Sequence, residues 1–284
     1  MAAEVTEDLF QAVFRPRIEE SHKGQNGVVL VVGGGWLYHG APTLAALAAL
    51  RSGVDLVLVA VPKMIAPSVR AISPNLIVLP LPDAKLTKGS ARRLLKWIPQ
   101  IDTAVVGPGL GNGPKDGINI LASELASRGA GIVLDADALR SEVLERVKGR
   151  KCVLTPHLGE FKRLFGVDLG NDSVDSRAKK VKRYAKQWKL TILLKGKVDV
   201  ISDGNEVALN YTGSSAMTVG GTGDVLSGLL TGMMSTGASP FKAAMAAAYV
   251  NGICGENAAK RLGYHLTATD LIEEIPLMLK KYDY

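Results

Sequence analysis

Long apolar runs, aromatic rings and cysteines are all scarce in this sequence. No run approaches the ~20 apolar residues that a membrane span needs, and residues 1–20 mix acids, bases and apolar side chains without a signal-peptide core. The two cysteines, Cys152 and Cys254, sit far apart in apolar stretches. That excludes a disulfide framework and reads as buried thiols in a reducing compartment, by default the cytoplasm. The four histidines, His22, His39, His157 and His265, show no zinc spacing. Aromatics make up 5% of the chain, and no basic segment interleaves with them. The net charge of +7 therefore points to anionic small molecules and away from nucleic acid. Two nucleotide signatures are also missing. Gly33-Gly34-Gly35 and Gly109-Leu110-Gly111 do not complete a dinucleotide fingerprint, and no Gly-x4-Gly-Lys-Ser/Thr loop exists.

What remains is a chain that is 47% hydrophobic with 31 glycines, a composition for a packed, turn-rich globule. Neither a linker-like shift in composition nor an internal repeat divides it, so 1–284 is expected to be one domain. Apolar residues at Val5, Leu9, Val13 and Ile18 predict a helix over 5–18, part of a helical extension over 1–21. Continuous apolar runs predict strands at 28–32, 55–61, 76–79, 103–106, 131–134, 151–154 and 191–194, with helices at 42–51, 115–128 and 173–188. Strands apolar throughout and linked by helices make an α/β fold, with a mostly parallel central sheet covered on both faces. Residues 198–202 and 206–209 flank Asp203-Gly204-Asn205, a hairpin signal. Helices are expected over 240–261 and 269–280.

In open parallel sheets ligands sit beyond the carboxyl ends of the strands. Here those ends carry glycine or charge: Gly33-Gly34-Gly35, Gly107-Pro108-Gly109-Leu110-Gly111, Asp135-Ala136-Asp137, Thr155-Pro156-His157-Leu158-Gly159-Glu160, and Lys195 to Asp199 (Lys195-Gly196-Lys197-Val198-Asp199). A sheet needing only turns would not gather charge on one rim. The densest chemistry follows in Met217-Thr218-Val219-Gly220-Gly221-Thr222-Gly223-Asp224. A helix starting at Thr222 or Asp224 would aim unpaired N–H groups and a positive dipole end at an anion. An acid planted there repels phosphate unless it has a task of its own, such as accepting the proton of an attacking hydroxyl. The alternative is a helix-capping aspartate. The other corners have plain readings as well. Asp135 and Asp137 fit helix-start acids, His157 a surface histidine, Glu160 a first-turn acid or an outer-shell magnesium contact, and Lys195 a snorkelling lysine or a phosphate contact.

Taken together with His22-Lys23-Gly24, Gly40-Ala41-Pro42 and Leu134-Asp135-Ala136-Asp137-Ala138-Leu139, these corners resemble the ribokinase-like superfamily. Within it they are similar to the ADP/ATP-dependent NAD(P)H-hydrate dehydratases, a carbohydrate-kinase-related family. The resemblance runs from His22 to about Ile275. It implies a ribokinase-like three-layer sandwich and a repair lyase. That lyase would phosphorylate the C6 hydroxyl of hydrated NADH or NADPH, (6S)-NAD(P)HX, from ADP or ATP, and lose phosphate to restore the reduced nicotinamide. It further implies Asp224 as base and the Gly221-Thr222-Gly223 backbone as anion hole. Ala41, Gly107, His157 and Asp224 are implied as substrate contacts. Lys195, Gly196, Lys197, Val198, Asp199 and Gly223 are implied at the adenine nucleotide. Magnesium is expected with the donor, with Glu160 in its outer shell, and a homotetramer is expected by analogy with relatives. The epimerase domain often fused ahead of such chains has no counterpart in 1–21. Three positions depart from the family pattern: Ser214-Ser215-Ala216 where Asn-Pro-Gly is usual, Leu158 where proline is common, and Arg140 where asparagine is frequent. Two rivals share the corners. One is a kinase of a small alcohol such as hydroxymethylpyrimidine or hydroxyethylthiazole, which would release a stable phosphoester. The other is a non-catalytic nucleotide sensor, which has no need of a base at Asp224.

Overall fold

The computed structural model describes residues 2–13, 17–113 and 115–283. Its strands, in chain order, are β1 (Ala3–Glu4), β2 (Val28–Val32), β3 (Leu56–Pro62), β4 (Ile77–Leu81), β5 (Thr103–Val106), β6 (Gly131–Leu134), β7 (Cys152–Leu154), β8 (Thr191–Leu194), β9 (Asp199–Ser202) and β10 (Val207–Asn210). They form one sheet in the order β1-β10-β9-β8-β7-β6-β5-β2-β3-β4. Among the described residues only β9 runs against the others, because the Asp203-Gly204-Asn205 turn folds β10 back onto it with Val207 opposite Ser202.

The helices are α1 (Gly40–Arg51), α2 (Ala66–Ile72), α3 (Lys88–Trp97), α4 (Lys115–Ser127), α5 (Ser141–Val147), α6 (Leu158–Phe165), α7 (Val174–Trp188), α8 (Thr222–Ser235), α9 (Pro240–Leu262) and α10 (Ala268–Leu279). They make two layers. Val29, Val31, Val59 and Val105 point to a core shared with α1, α8, α9 and α10. Leu30, Val32, Leu58 and Val106 point to the other core, against α3, α4, α6 and α7. Because side chains alternate along a strand and both faces are covered, every β2 position must be apolar. That is why the strand runs were legible.

The N-terminal helix expected over 5–18 is not what forms. Residues 3–4 add a parallel edge strand to β10, and 7–12 make a short 3₁₀ helix. Residues 14–16 lie outside the described residues, and Ile18 is exposed. Val5 and Val13 are buried, so the apolar spacing was real, but it serves a strand end and a turn. The short helices α2, α3, α5 and α6 were not anticipated. All four span ten residues or fewer with only two to three buried apolar side chains each, too little for a periodic signal.

The topology locates the crevice. From β2 the chain adds β3 and β4 on one side, then returns to place β5 on the other side of β2 and continues outward through β6, β7 and β8. The loops after β2 and β5 therefore diverge, and ligands in open α/β sheets bind at such a switch point. A hollow of about 300 Å³ lined by Arg150, Lys151 and Lys189 opens by contrast at the amino ends of β7 and β8. The chemistry-bearing residues are at the opposite end.

Candidate active site

The rim is held by close backbone approach. Gly107, at φ +136°, packs so tightly that a Cβ would overlap the Asp135 carbonyl oxygen, which presses the end of β5 onto the end of β6. The Gly111 N–H donates to Asp137 Oδ2 at 2.7 Å. Arg140, one of the departures from the family pattern, braces the same corner by donating to the carbonyls of Asp137, Gly113 and Gly111 at 2.7, 3.0 and 3.2 Å.

At the centre lies a charge cluster drawn from four corners. Asp135 is 2% exposed and its Oδ1 accepts from Thr155 Oγ1 at 2.8 Å and from Lys195 Nζ at 2.9 Å. Lys195 Nζ is also 3.7 Å from Glu160 Oε2. Its backbone N–H bonds Pro156 at 2.8 Å, which zips the end of β8 to that of β7. Burial alone would lower the Lys195 pKa; the carboxylates of Asp135, Glu160 and Asp224 outweigh it and hold the ammonium above its ordinary value. Sequence reasoning offered Lys195 as a snorkelling or a phosphate-binding lysine. The side chain instead turns inward as the cation of a carboxylate cluster, beside the position a Gly223 Cβ would take, at 3.6 Å.

Asp224 sits in the first turn of α8. The helix is capped by Gly221 at φ +100°, so Asp224 is not the cap, and among the described residues its carboxylate accepts no hydrogen bond. The first rung of the ladder is the Val225 N–H to the Gly221 carbonyl at 3.0 Å, which leaves the N–H groups of Thr222, Gly223 and Asp224 without intrahelical partners. The Thr222 hydroxyl is committed to the loop, donating to the carbonyls of Met217 and Val219 at 3.0 and 3.4 Å; only its backbone is free to meet an anion. Burial, then the charge of Asp135, pushes Asp224 up to about 7; Lys195 opposes, and Asp137 and Glu160 add to the rise. A half-buried carboxylate poised near neutrality at a helix N-terminus can act as a general base beside an anion-binding cradle.

His157 caps α6. Its Nδ1 accepts from the N–H groups of Gly159 and Glu160 at 3.0 and 3.3 Å, while Glu160 Oε2 accepts the His157 N–H at 2.8 Å. With Nδ1 accepting, the ring proton sits on Nε2, which lies 3.5 Å from Glu160 Oε1 on a side chain 60% exposed. Asparagine is also a good cap.

The 195–199 segment closes on itself. The Gly196 N–H donates to Asp199 Oδ1 at 3.0 Å, and Asn210 Nδ2 donates to Asp199 Oδ2 at 3.0 Å. Burial raises Asp199 to about 6 against those bonds and the charge of Lys195. Asp199 thus shapes the turn, leaving Gly196 and Lys197 exposed along it. Ala41, in the first turn of α1, lies against Gly109. The Ser214-Ser215-Ala216 departure is absorbed as a short 3₁₀ turn capped by the Ser214 hydroxyl. Thr155 and Asn210 were not singled out from sequence. Their signal is the hydrogen bond each makes, and no spacing rule encodes it.

Among the described residues no three His, Cys, Asp or Glu side chains converge to ligate a metal. Glu160 already takes the His157 N–H. The donor set fits a magnesium ion only through water, with the ion held by phosphates, as magnesium prefers.

The model of the carbohydrate-kinase-related family described as NAD(P)H-hydrate dehydratase matches residues 29–277. The ADP-dependent (S)-NAD(P)H-hydrate dehydratases of Cenarchaeum symbiosum and Nitrosopumilus maritimus are 50% and 46% identical to the chain, each over 98% of it and 97% of the relative. A bifunctional NAD(P)H-hydrate repair enzyme of Pyrobaculum aerophilum is 44% identical, and there the chain spans 53% of the longer protein. The ADP/ATP-dependent NAD(P)H-hydrate dehydratase of Bacillus subtilis, co-crystallised with ATP and Mg²⁺, superposes with a TM-score of 0.85 at 29% identity over 99% of both chains. A hydroxyethylthiazole kinase of Pyrococcus horikoshii shares the fold, with a TM-score of 0.64 at 17% identity over 95% of this chain. On sequence and on fold alike, the chain belongs to the NAD(P)H-hydrate dehydratase family.

Proposed function

We propose that the protein dehydrates (6S)-NADHX and (6S)-NADPHX at the expense of ADP. The observation that carries this is Asp224, a half-buried carboxylate raised to about 7 in the first turn of α8, beside N–H groups that have no helical partner. Asp224 takes the proton of the C6 hydroxyl as its oxygen attacks the terminal phosphorus of ADP, and AMP leaves. The Gly221-Thr222-Gly223 backbone meets the charge of the transferring group. Lys195 keeps the carboxylate cluster from repelling that charge. In the ester so formed, the ring nitrogen beside C6 pushes out phosphate, and loss of the C5 proton restores the double bond. Ala41, Gly107 and His157 are the substrate contacts in this reading, and residues 195–199 with Gly223 border the donor. Glu160 would hold a magnesium ion through water, and that ion would neutralise phosphate charge.

The names of the relatives in two archaea favour ADP over ATP as the donor. The two buried free thiols suit a cytoplasmic protein, and no helix among the described residues is long and apolar enough to cross a membrane. A single domain over 1–284 and a homotetramer complete the proposal; sedimentation gives the subunit number directly.

The small-alcohol kinase remains the second reading because the hydroxyethylthiazole kinase shares the fold. The fate of the phosphate separates them. Purified protein with NADPHX and ADP is expected to regenerate the absorbance of NADPH and release one phosphate for each. A phosphoester that accumulates while no NADPH appears would overturn the dehydratase reading.

A further inference from the structure

The loop between β2 and α1 carries three large apolar side chains that the fold does not use. Trp36, Leu37 and Tyr38 are 72%, 74% and 57% exposed, in a chain with few rings to spare. The backbone beneath them is firmly seated. The Gly34 N–H donates to the Pro108 carbonyl at 2.8 Å, and the Tyr38 N–H to that of Gly35 at 3.2 Å. Gly109 fits so closely under the loop that a Cβ would stand 2.6 Å from the Tyr38 carbonyl oxygen and 3.1 Å from the Ala41 Cβ. Only the side chains stand free.

Their place is the switch point, where the loops after β2 and β5 part. It is also near the chemistry. Leu44, one helical turn along α1 from Ala41, lies against Gly221, with its Cδ1 2.6 Å from where a Cβ would be. Ala41 itself lies against Gly109, under Tyr38. The path from the start of α8 to the aromatic loop thus follows about one turn of α1, roughly 5 Å along the axis. A substrate with its C6 hydroxyl at Asp224 must send its remaining half somewhere. The donor segment 195–199 follows β8, three strands beyond β5 and away from β2, so the side of the crevice left for the substrate's adenosine is the one beneath this loop.

We propose that Trp36 and Tyr38 form an aromatic platform for the adenine base of the hydrated dinucleotide, beyond the part of the substrate that reacts. The proposal rests on the dehydratase reading. Bases stack on aromatic faces with an energy that alanine substitution reveals, here expected as about a ten-fold change in KM.

The test compares the intact protein with Trp36→Ala, Trp36→Phe and Tyr38→Ala on two substrates at saturating ADP: NADPHX, and hydrated reduced nicotinamide mononucleotide, which lacks the adenosine. The alanine variants are expected to raise KM for NADPHX about ten-fold, with kcat and KM for ADP unchanged, while Trp36→Phe keeps most of the affinity. For the mononucleotide all four proteins should share one KM. An unchanged KM for NADPHX overturns the platform and leaves the dehydratase reading standing. An equal rise for the mononucleotide overturns it too, since the loop would then serve the reacting ring. So does a change in subunit number by sedimentation, which makes the loop a subunit contact. Should the unsubstituted protein regenerate no NADPH, the dehydratase reading fails by itself. Tryptophan emission on titration with NADPH then decides the platform: quenching that Trp36→Phe removes supports it, and equal quenching in both proteins sinks it.

Discussion

Asp224 combines two properties that oppose each other: it must be buried to be basic, and burial costs stability. Its folded pKa of about 7 lies above the unfolded value of 3.8, so the native state holds the extra proton between about pH 4 and 7. Stability therefore falls as pH rises through that window, and the full cost is present above pH 7. Asp224→Asn removes the charge. It is expected to lose about 10²–10⁴ in turnover while nucleotide binding persists, and to melt higher than the unsubstituted protein at pH 8. Below pH 6 the melting difference should shrink. A variant that regenerates NADPH at near-normal rate would remove Asp224 from the role of base. In the unsubstituted protein, kcat/KM should fall about ten-fold per pH unit below pH 7, since only the carboxylate accepts a proton.

His157 carries two tasks on two nitrogens, which makes its substitution informative only in pairs. His157→Ala loses the α6 cap, worth about 1 kcal/mol. It also loses the Nε2 donor, worth roughly ten- to a hundred-fold in KM for NADPHX if the bond is to a charged group. His157→Asn keeps a capping side chain and should restore the melting temperature while leaving KM for NADPHX high; KM for ADP should move little in either. Recovery of both by asparagine would reduce His157 to a cap.

Among the elements, α8 decides where the base stands, and its position is set by glycine. A Cβ on Gly228 would overlap the Ala45 carbonyl and one on Gly232 the Ser52 hydroxyl, so α8 lies directly on the backbone of α1. In a free helix, glycine to alanine stabilises by about 1 kcal/mol. Here the sign should reverse, with Gly228→Ala destabilising by roughly 1–3 kcal/mol through overpacking. Urea unfolding measures it, and a stabilised variant would show that the helix pair has slack. The same contact packs α1 directly against α8, so Ala41 and Asp224 are held on two elements in close backbone contact.

For the whole molecule the relevant quantity is charge. A net +7 meets two polyanionic substrates. Rising salt should increase KM for NADPHX and for ADP, with little change in kcat, because screening weakens attraction at a distance and leaves the buried cluster alone. A flat KM from low to physiological ionic strength would take long-range attraction out of the account.

Sequence and structure divide the information along physical lines. Strands buried on both faces must be apolar at every position, so 28–32, 103–106, 131–134 and 191–194 are the observed β2, β5, β6 and β8 to the residue. A glycine corner needs glycine, so the rim was readable as a set of motifs, and Asp224 stood out as an acid in an anion site. Residues 3–13 misled because a buried Val5 and Val13 serve a strand end and a 3₁₀ turn as readily as a helix. Lys195 could be placed at the end of β8 but not aimed: its partner Asp135 follows β6, with β7 between them, and only the sheet brings the two to 2.9 Å. The sequence by itself determined the layers, the rim and the candidate for the base. Only the tertiary structure decided the charge state of that candidate, because a carboxylate's pKa depends on burial and on charges that here come from three separate strand ends, those of β6, β7 and β8, and no one of those corners contains the others.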